Sequence, residues 1–526
     1  EFQLFDGPTS GLGVDPGGSA SQPGAASRGI DPDSAQRLID IMGDVYGVSA
    51  DDVGTSSTVT LNNPRTNLFA RLDFQLGDNH RLVVRDNFSK NRADRGPFRA
   101  SFFYGYTSQN QDFTNTTNSF VTQLFSTFGG AWSNELLLNF ETVRDLRDPV
   151  VDYAQIEVDN DSGDLGSNTL VIGAEEFSQA NSLDQDIFQL TDNLSRSFGA
   201  HRLTFGANVE YFKFNNLFFP ASIGIYQFDS LADLENGIVG AYEVNTLNPA
   251  ITDPAAKFGV WQPGFYVQDE WAINQNWNIQ LGLRADIPIM ADKPVANPLF
   301  EQEFGVSTTE VPSGNILWQP RVGFNWQSGA QRMTQIRGGA GLFSGRPPYV
   351  WLSNAYGNTG GQQVKLFCDT ANAPAFDPGN YPGSPPQQCT DGTTAAQSGL
   401  PVVNIFDPNT KMPLEGKFNL GIDQVLPAGF VVTAEVLYTK AVQQLFFEEF
   451  NIPSEQIGTD PTQGGRPLFG TPDAGLRDGA FAPQRVSDQF AQVIRVKNKN
   501  DNRSLLLTLE VNRQMSEWLG LRAGYT

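Results

Sequence analysis

The stretch 265–286 constrains the fold of this chain more than any other. In its second half, Trp277, Ile279 and Leu281 alternate with polar residues, which is the period-2 pattern of a strand with one apolar and one polar face. The same alternation precedes a break at residues 274–276. We therefore predict a hairpin of two strands, each of about ten residues, joined by a very short turn. Strands of roughly 9–11 residues suit a tilted crossing of a bilayer.

Six further segments repeat this design. The seven hairpins together give about fourteen strands, which is an internal repeat at the supersecondary level. The connections between them run for roughly 25 to 70 residues, are rich in Gly, Pro, Asn and Asp, and are too long for an ordinary compact domain. The predicted hairpins lie at about 67–88, 119–143, 186–214, 265–286, 321–343, 417–440 and 505–526.

Short turns at one end and long loops at the other are typical of an outer-membrane barrel, with the turns in the periplasm and the loops outside the cell. In hydrocarbon every backbone N–H and C=O needs a partner, so a spanning sheet has to close. We therefore predict an all-β fold, a transmembrane antiparallel β-barrel. The alternative is a soluble β-sandwich or propeller, but the polar face of each strand carries too many charges for a sandwich core.

The chain divides into two predicted regions. Residues 1–63 are predicted to form an extracellular loop, following an earlier strand if residues 1–5 are its end. This loop contains a short helix at 35–46, with Asp33 or Ser34 as its N-cap. Residues 64–526 are predicted to be a partial barrel, truncated at the C-terminus, and no plug domain is present. We expect the chain to be an internal piece of a longer polypeptide, with further strands on both sides.

The composition excludes some classes of function and structure. The net charge is −23 over 526 residues, which argues against a nucleic-acid surface. The sequence contains no run of about eighteen apolar residues, and its mean hydropathy of −0.31 is compatible with alternating strands.

Tryptophans cluster close to the short turns. Amphipathic rings of this kind mark the boundary between membrane and water, so we predict an aromatic girdle at the periplasmic end. Its predicted members are Trp132, Trp271, Trp277, Trp326 and Trp518.

The polar faces of the strands are predicted to line the lumen. These side chains either bind a ligand or pair with one another and with a plug, and we favour pairing for most of them. They are Arg71, Asp73, Glu135, Glu141, Glu210, Arg284, Asp286, Arg337, Asp423, Glu435 and Glu510.

Four stretches resemble the barrel of TonB-dependent outer-membrane receptors, in particular the Oar-like group that carries a carboxypeptidase-regulatory-like domain. Each stretch is a structural strand signature and none is a chemical motif. They are residues 266–271 (YVQDEW) with 281–284 (LGLR), residues 67–74 (NLFARLDF) with 79–82 (NHRL), the piece ending at 45–48 (VYGV), and residues 319–324 (QPRVGF) with 338–343 (GGAGLF).

This resemblance implies a barrel of about 22 strands plugged by an N-terminal domain, in the outer membrane of a Gram-negative bacterium. It implies import of a nutrient-type substrate with energy delivered by the TonB complex. The implied partners are outer-membrane lipid, lipopolysaccharide, TonB and an extracellular substrate. The plug, the TonB-binding segment and the regulatory-like domain do not occur in these residues. The alternative functions are a passive porin-like channel and a surface adhesion or assembly protein anchored by a barrel.

Two histidines, His80 and His201, each follow a short turn and precede Arg-Leu. They are candidates for a metal site. The competing interpretation is that both occupy the same position of one repeated hairpin, and we favour it because no carboxylate or cysteine cluster lies nearby at ligand spacing.

The two cysteines, Cys368 and Cys389, lie in one long loop. We predict a disulfide rather than a pair of reactive thiols, since neither cysteine has a basic neighbour. Closing such a loop is worth roughly 3 kcal/mol in the chain-entropy model.

The segment 159–164 has the oxygen density of a calcium loop, with Asp159, Asp161 and Asp164 as candidate ligands. Its glycine and the residue at its twelfth position do not match an EF-hand. Runs of Asp, Asn and Gly also form turns readily, so a plain turn is the alternative.

Catalytic motifs do not occur in the sequence, and both histidines fall at predicted periplasmic turns. We predict no enzymatic activity and no cofactor. Ligand contacts are expected from the long loops, for example from residues 102–106 (FFYGY) and 347–351 (PPYVW).

Overall fold

The computed structural model describes residues 2–9, 20–22, 30–100, 103–160, 168–248, 251, 253–328, 333–345, 349–381, 383–395, 400–461, 464–472 and 481–526. Fifteen strands pair antiparallel in chain order, each with the next. We number them β1 to β15: Phe2–Thr9, Asn63–Gln75, His80–Arg95, Gln111–Phe128, Trp132–Pro149, Asn181–Phe198, His201–Phe218, Ala256–Asn274, Trp277–Asp286, Leu317–Gln327, Thr334–Phe343, Leu414–Val425, Phe430–Glu449, Arg503–Gln514 and Gly520–Tyr525.

The sequence-based prediction of a large antiparallel β-barrel sheet is confirmed, and all fourteen predicted strands are present as β2 to β15. The additional strand is β1, which pairs with β2. Several of the hairpin turns are tight because glycines adopt positive φ there, for instance Gly129 and Gly130 between β4 and β5, at 55° and 73°.

The predicted strand length of about ten residues is wrong for several strands. β8 has 19 residues and β13 has 20. The upper part of β8 carries Phe258 and Val260 on the face that is polar lower down, and both are buried. Alternation between apolar and polar residues therefore disappears from the sequence there, although the strand continues.

The long loops fold into ordered structure. Six loop strands form a mixed sheet in the order Gln363–Asp369, Ala241–Leu247, Ile225–Phe228, Gln155–Asn160, Asn168–Ile172 and Phe103–Gly105. The pairs of Ile225–Phe228 with Gln155–Asn160 and of Asn168–Ile172 with Phe103–Gly105 are parallel. Five different loops contribute to this sheet and the helices packed on it, and we call this unit the loop domain.

Five helices occur in the described loops: α1 (Pro32–Asp44), α2 (Ala50–Val53), α3 (Leu231–Asn236), α4 (Pro298–Phe304) and α5 (Tyr349–Gly357). Single 3-10 turns lie at Thr107–Gln109, Glu176–Ser178, Pro378–Asn380 and Pro427–Gly429. The remaining short strands are Ala20–Gln22, Val59–Leu61, Ile289–Met290, Val402–Phe406, Gly458–Asp460, Arg466–Leu468, Gly470–Pro472, Phe481–Pro483 and Gln492–Lys499.

None of the helices in the described part of the chain combines the length and the apolar character needed to cross a bilayer.

Helix α1 begins earlier than the sequence predicts. Its N-cap is Asp31, whose carboxylate accepts hydrogen bonds from the backbone N–H groups of Asp33 and Ser34. Pro32 occupies the first helical turn, where its missing N–H costs nothing. The predicted caps, Asp33 and Ser34, therefore lie inside the helix.

The loop domain has its own apolar core. The α1 residues Leu38 and Met42 are fully buried in it together with Ile156 and Phe228 of the mixed sheet. Because this core is separate from the barrel wall, the loop domain owes its stability to its own packing.

We predict that Leu38→Ala loosens the loop domain without disturbing the barrel. Deleting a fully buried leucine side chain costs about 2–5 kcal/mol, so amide hydrogen exchange should accelerate in Ile225–Phe228 and Ala241–Leu247 but not in β2 to β15. Val45→Ala is the control, because Val45 is 49% exposed. Equal exchange rates in the two variants would contradict a shared loop-domain core.

Candidate functional site

The strand register places the predicted lumen residues on one face of the sheet. Arg284 lies opposite Gln319, and Gln319 and Arg321 share their strand face with Asn325, which lies opposite Arg337. The other face of the same strands carries side chains such as Leu283 and Val322, which are 42% and 46% exposed. In a membrane barrel the apolar face contacts lipid and the polar face lines the lumen.

A buried ion pair lies near the upper end of β9. Asp286 is 1% exposed, and Nη2 of Arg284 lies 2.8 Å from its Oδ1. The amide of Gln319 donates a further hydrogen bond to the same carboxylate. Gly264 lies directly opposite Asp286, and a Cβ at that position would collide with the carboxylate. Glycine is therefore required there for the pair to form.

A second charged group joins three strands. Arg337 of β11 forms an ion pair with Asp423 of β12, and its Nη2 lies 3.9 Å from Oε2 of Glu435 on β13. The hydroxyl of Thr433 donates to the other oxygen of Asp423 at 2.6 Å. These side chains satisfy one another across neighbouring strands.

Several of the other predicted lumen residues contact polar partners on the same strand or on a neighbouring one. Arg71 and Asp73 pair with each other at 2.7 Å, with both side chains 41% exposed, and Glu510 pairs with Arg522 at 2.8 Å. Glu135 accepts from the amide of Gln123 at 3.0 Å. Glu141 lies opposite Ile187 and Ser119 in the register, and Glu210 is 7% exposed. Pairing along the wall thus accounts for most of these charges.

Helix α5 packs against the lumen-facing side of the sheet, at the end of the barrel away from the short turns. Tyr349 contacts the rings of Phe212 and Phe214, and its hydroxyl donates to Oε1 of Gln262 at 2.5 Å. Tyr356 stacks on Phe258 with ring centroids 4.4 Å apart. The upper part of this face is therefore aromatic and covered, whereas its lower part is polar.

The aromatic residues expected to bind ligand from residues 102–106 are instead core residues. Tyr104 and Tyr106 are fully buried, and their hydroxyls donate to the backbone oxygens of Ser56 at 2.6 Å and Ala35 at 2.8 Å. Both rings are buried because other segments of the loop domain cover them, and the local sequence does not show this. Phe102 lies outside the described residues.

Of the second expected ligand segment, 347–351, the structure describes the side chain of Tyr349 alone. Its Tyr349 is 3% exposed within α5. Pro347 and Pro348 lie outside the described residues. The prediction that this tyrosine is available to a ligand is therefore wrong, because its ring fills the space above β7 and β8.

Four of the five predicted girdle tryptophans make contacts on the apolar side of the sheet. Trp277 and Trp326 lie 6.2 Å apart, Trp271 stacks on His201 at 5.3 Å, and the guanidinium of Arg196 lies 4.9 Å from the ring of Trp132. Trp518 is 85% exposed at the last turn.

A second aromatic level, not predicted from the sequence, lies higher on the same face. Trp261 precedes Trp271 by ten positions on β8 and therefore shares its face. Trp261 packs on Tyr211 at 4.5 Å, and Trp318 of β10 is 53% exposed. Ten residues at about 3.3 Å and a tilt of about 40° span roughly 25 Å, the height of the apolar band of such barrels.

The two histidines occupy equivalent turn positions. Nδ1 of His80 lies 2.9 Å from Oγ of Ser126, and Nδ1 of His201 lies 2.8 Å from Oδ2 of Asp269. Each histidine also packs beside an aromatic ring that precedes a turn, Phe128 or Phe198. The structure does not bring the two histidines together.

The cysteines and the calcium candidate lie in the loop domain. Cys368 and Cys389 form a disulfide, and both are buried in its core. Asp159 accepts a hydrogen bond from Thr169 at 2.9 Å, whereas Asp161 and Asp164 lie outside the described residues. Within the described residues, no group of three or more His, Cys, Asp or Glu side chains is placed to hold a metal ion.

A cleft of about 590 Å³ opens between loops that are distant in sequence. Phe304 of α4 and Phe450 form aromatic walls with ring centroids 5.5 Å apart. The guanidinium of Arg495 lies 3.9 Å from the Phe450 ring and pairs with Glu448. Aromatic walls beside charged groups suit a ligand with both apolar and polar parts. No local pattern in the sequence marks this cleft, because residues from five separate stretches line it.

Carboxylates crowd the polar face of the loop-domain sheet. Burial raises the pKa of Glu176 to about 7, and the nearby Glu243 raises it further, while Lys365 opposes the shift. Lys365 also forms an ion pair with Glu243. The carboxyl of Glu176 therefore titrates close to neutral pH on the loop side of the protein.

We predict that Asp286→Ala destabilises the barrel by about 3 kcal/mol, because it leaves the Arg284 cation without its buried partner. The measurement is the urea midpoint of folding in lipid vesicles. Asp73→Ala is the control, since its pair with Arg71 is exposed and should leave the midpoint unchanged. Equal midpoints for the two variants would show that burial of the Arg284 pair does not matter.

We predict that Glu176 makes the loop domain less stable as pH rises. Its carboxyl keeps its proton in the folded state while the unfolded chain loses it, so stability falls between about pH 4.5 and 7. Glu176→Gln should flatten the dependence of the loop-domain melting temperature on pH in this window. Glu235→Gln, an exposed carboxylate of the same domain, should leave the slope in place. A slope that survives Glu176→Gln would assign it to another group.

Comparison with known proteins gives the following matches. A family model described as an outer membrane beta barrel domain matches residues 14–526. Among solved structures, the outer membrane transporter YddB from Escherichia coli is 11% identical, with a TM-score of 0.51 over 87% of this chain and 46% of its own. The siderophore receptor PirA from Pseudomonas aeruginosa is 12% identical, with a TM-score of 0.43 over 89% and 57%. The copper transporter OprC is 9% identical, with a TM-score of 0.46 over 88% and 52%.

The chain therefore spans about half the length of these structures. At such low identity the similarity to YddB establishes the fold alone. No curated protein matches the chain in sequence.

Proposed function

The chain belongs to the outer membrane beta barrel domain family and lies in the outer membrane, and from this premise we propose that it is the barrel portion of a substrate-binding receptor and transporter. The observation that carries the proposal is folded loop structure packed on the lumen side of the upper barrel wall. α5 packs on the lumen side of β7 and β8 through Tyr349 and Tyr356. A passive pore requires an open lumen, and a helix inside the lumen narrows the path for diffusion.

The loop domain supports the same proposal. A buried core and a disulfide give the loops a fixed shape, and preorganised loops bind a ligand with a smaller entropic cost. The cleft beside Phe304 and Phe450 offers a ligand-sized space with polar and apolar walls. A peptide, a glycan or a chelate fits this size better than a simple ion.

We further propose that import is driven by TonB. This part of the proposal rests on the resemblance of the strand stretches at 266–284, 67–82 and 319–343 to TonB-dependent receptors of the Oar-like group. The fifteen strands described here would then belong to a larger barrel of about 22 strands. The competing functions are a passive channel and a barrel-anchored adhesion or assembly protein.

The first test is single-channel conductance of the full-length protein in planar bilayers. A receptor whose lumen is obstructed, by the plug that the resemblance implies and by α5 on the barrel wall, should show no steady open state. Large steady steps from the unmodified protein would instead identify a passive channel.

The second test is uptake by intact cells that express the full-length protein, with fluorescent oligopeptides, labelled oligosaccharides and ferric chelates as probes. Binding of one probe class should persist when a protonophore collapses the proton-motive force, while its uptake should stop. Uptake that continues without the proton-motive force would contradict TonB-driven import. Absence of both binding and uptake for every probe class would favour the adhesion or assembly role.

A further inference from the structure

Two cations lie side by side on the lipid side of the barrel. Lys440 of β13 is directly opposite Arg503 of β14 in the strand register. Both share the outward face with the apolar residues Tyr438 and Leu505, which form the next cross-strand pair below them. Like charges directly opposite one another in a sheet are destabilising, so this arrangement calls for an anion between them.

Within the described part of the chain, neither cation forms an ion pair with a carboxylate. The acidic residue nearest to Arg503 in the sequence, Asp501, is paired with Lys499 at 2.9 Å. By contrast, the outward cation Arg144 has two aspartates within 4 Å.

The height of this pair matches the outer boundary of the membrane. Lys440 lies ten residues above Phe430, the first residue of β13 after its short turn. With a rise of about 3.3 Å per residue and a strand tilt of about 40°, ten residues place Lys440 about 25 Å above the periplasmic boundary. The cations are therefore at the level of the lipid headgroups in the outer leaflet.

An apolar groove of about 510 Å³ adjoins the cations on the same face. The small residues Ala340 and Gly416 form its floor, and Gly416 lies directly opposite Lys440. The larger side chains Val322 and Phe418 flank Ala340 on the two neighbouring strands. A groove with a narrow floor and raised apolar sides fits a hydrocarbon chain.

We propose that this groove and the cation pair form a binding site for the lipid A part of lipopolysaccharide. One acyl chain lies over Ala340 and Gly416, and a lipid A phosphate lies between Lys440 and Arg503. Phosphate accepts charge-assisted hydrogen bonds from both side chains and removes their mutual repulsion. Lipid A supplies acyl chains and phosphate in one molecule of the outer leaflet, where the site lies.

The lipid site is independent of the proposed transport function, because it lies on the face opposite to the lumen. Loss of transport would leave it unaffected, and the experiment below uses lipid binding as its only readout.

The test is native mass spectrometry of the full-length protein in detergent, titrated with bisphosphorylated lipid A, with the same lipid lacking its phosphates and with phosphatidylethanolamine. Wild type should bind bisphosphorylated lipid A at least about tenfold more tightly than the phosphate-free form, since one charge-assisted contact alone gives about that ratio and the proposal includes two. Lys440→Gln/Arg503→Gln should abolish this preference. Ala340→Phe, which fills the groove, should weaken binding of both forms of lipid A.

Lys90→Gln is the matched control. Lys90 lies ten residues above the start of β3 on the outward face, opposite Thr66 and Thr116, and does not adjoin the groove. Its binding profile should equal that of wild type. If Ala340→Phe does not fold, the charge variant still decides the matter, since its two side chains are exposed. Equal binding of the three lipids by wild type, or an unchanged preference in Lys440→Gln/Arg503→Gln, would overturn the proposal.

Discussion

Backbone hydrogen bonding in hydrocarbon is the constraint on which the rest of this molecule depends. A strand inside a bilayer must pair with a neighbour on each side, because an unpaired amide or carbonyl there costs several kcal/mol. Among the described strands, the antiparallel register meets this demand for β2 to β14, each of which pairs with a neighbour on both sides. Once the backbone is fixed in this way, the pleat determines which side chains face lipid and which face the lumen.

The loops are free from that constraint and use ordinary protein packing instead. They bury Tyr104, Tyr226 and Leu38 in a core of their own, and Cys368 and Cys389 link two parts of it. Helix α5 packs directly on the barrel and places Tyr349 and Tyr356 against lumen-side aromatic rings. The barrel thus carries an outer layer that has a hydrophobic core of its own.

The sequence predicts the barrel well because period-2 alternation is a local signal. β9 alternates from Trp277 to Asp286, and the predicted lumen residues Arg284 and Asp286 do lie on one face. The upper half of β8 could not be predicted, because its lumen side is apolar and covered by α5. Apolar and polar residues therefore do not alternate there. The burial of Tyr104 and Tyr106 could not be predicted either, since it depends on loop-domain segments that are far away in the chain.

Features that join distant segments are the least predictable. The mixed sheet pairs Ile225–Phe228 with Gln155–Asn160 and Ala241–Leu247 with Gln363–Asp369, and no spacing in the sequence encodes these partners. The cleft beside Phe304 and Phe450 has the same origin. The second aromatic level is different, because the ten-residue spacing of Trp261 and Trp271 is readable once β8 is known to continue above residue 265.

Collision of spin labels with oxygen and with a water-soluble nickel chelate tests the central assignment of the two strand faces most directly. Nitroxide labels on Leu281→Cys and Gln280→Cys, adjacent residues of β9, are measured in the protein reconstituted in lipid, after Cys368 and Cys389 have been confirmed to be oxidised. The label at 281 should collide mainly with oxygen dissolved in the lipid, and the label at 280 mainly with the chelate in the lumen. Equal accessibility at the two positions, or the reverse order, would contradict a barrel whose apolar face contacts lipid.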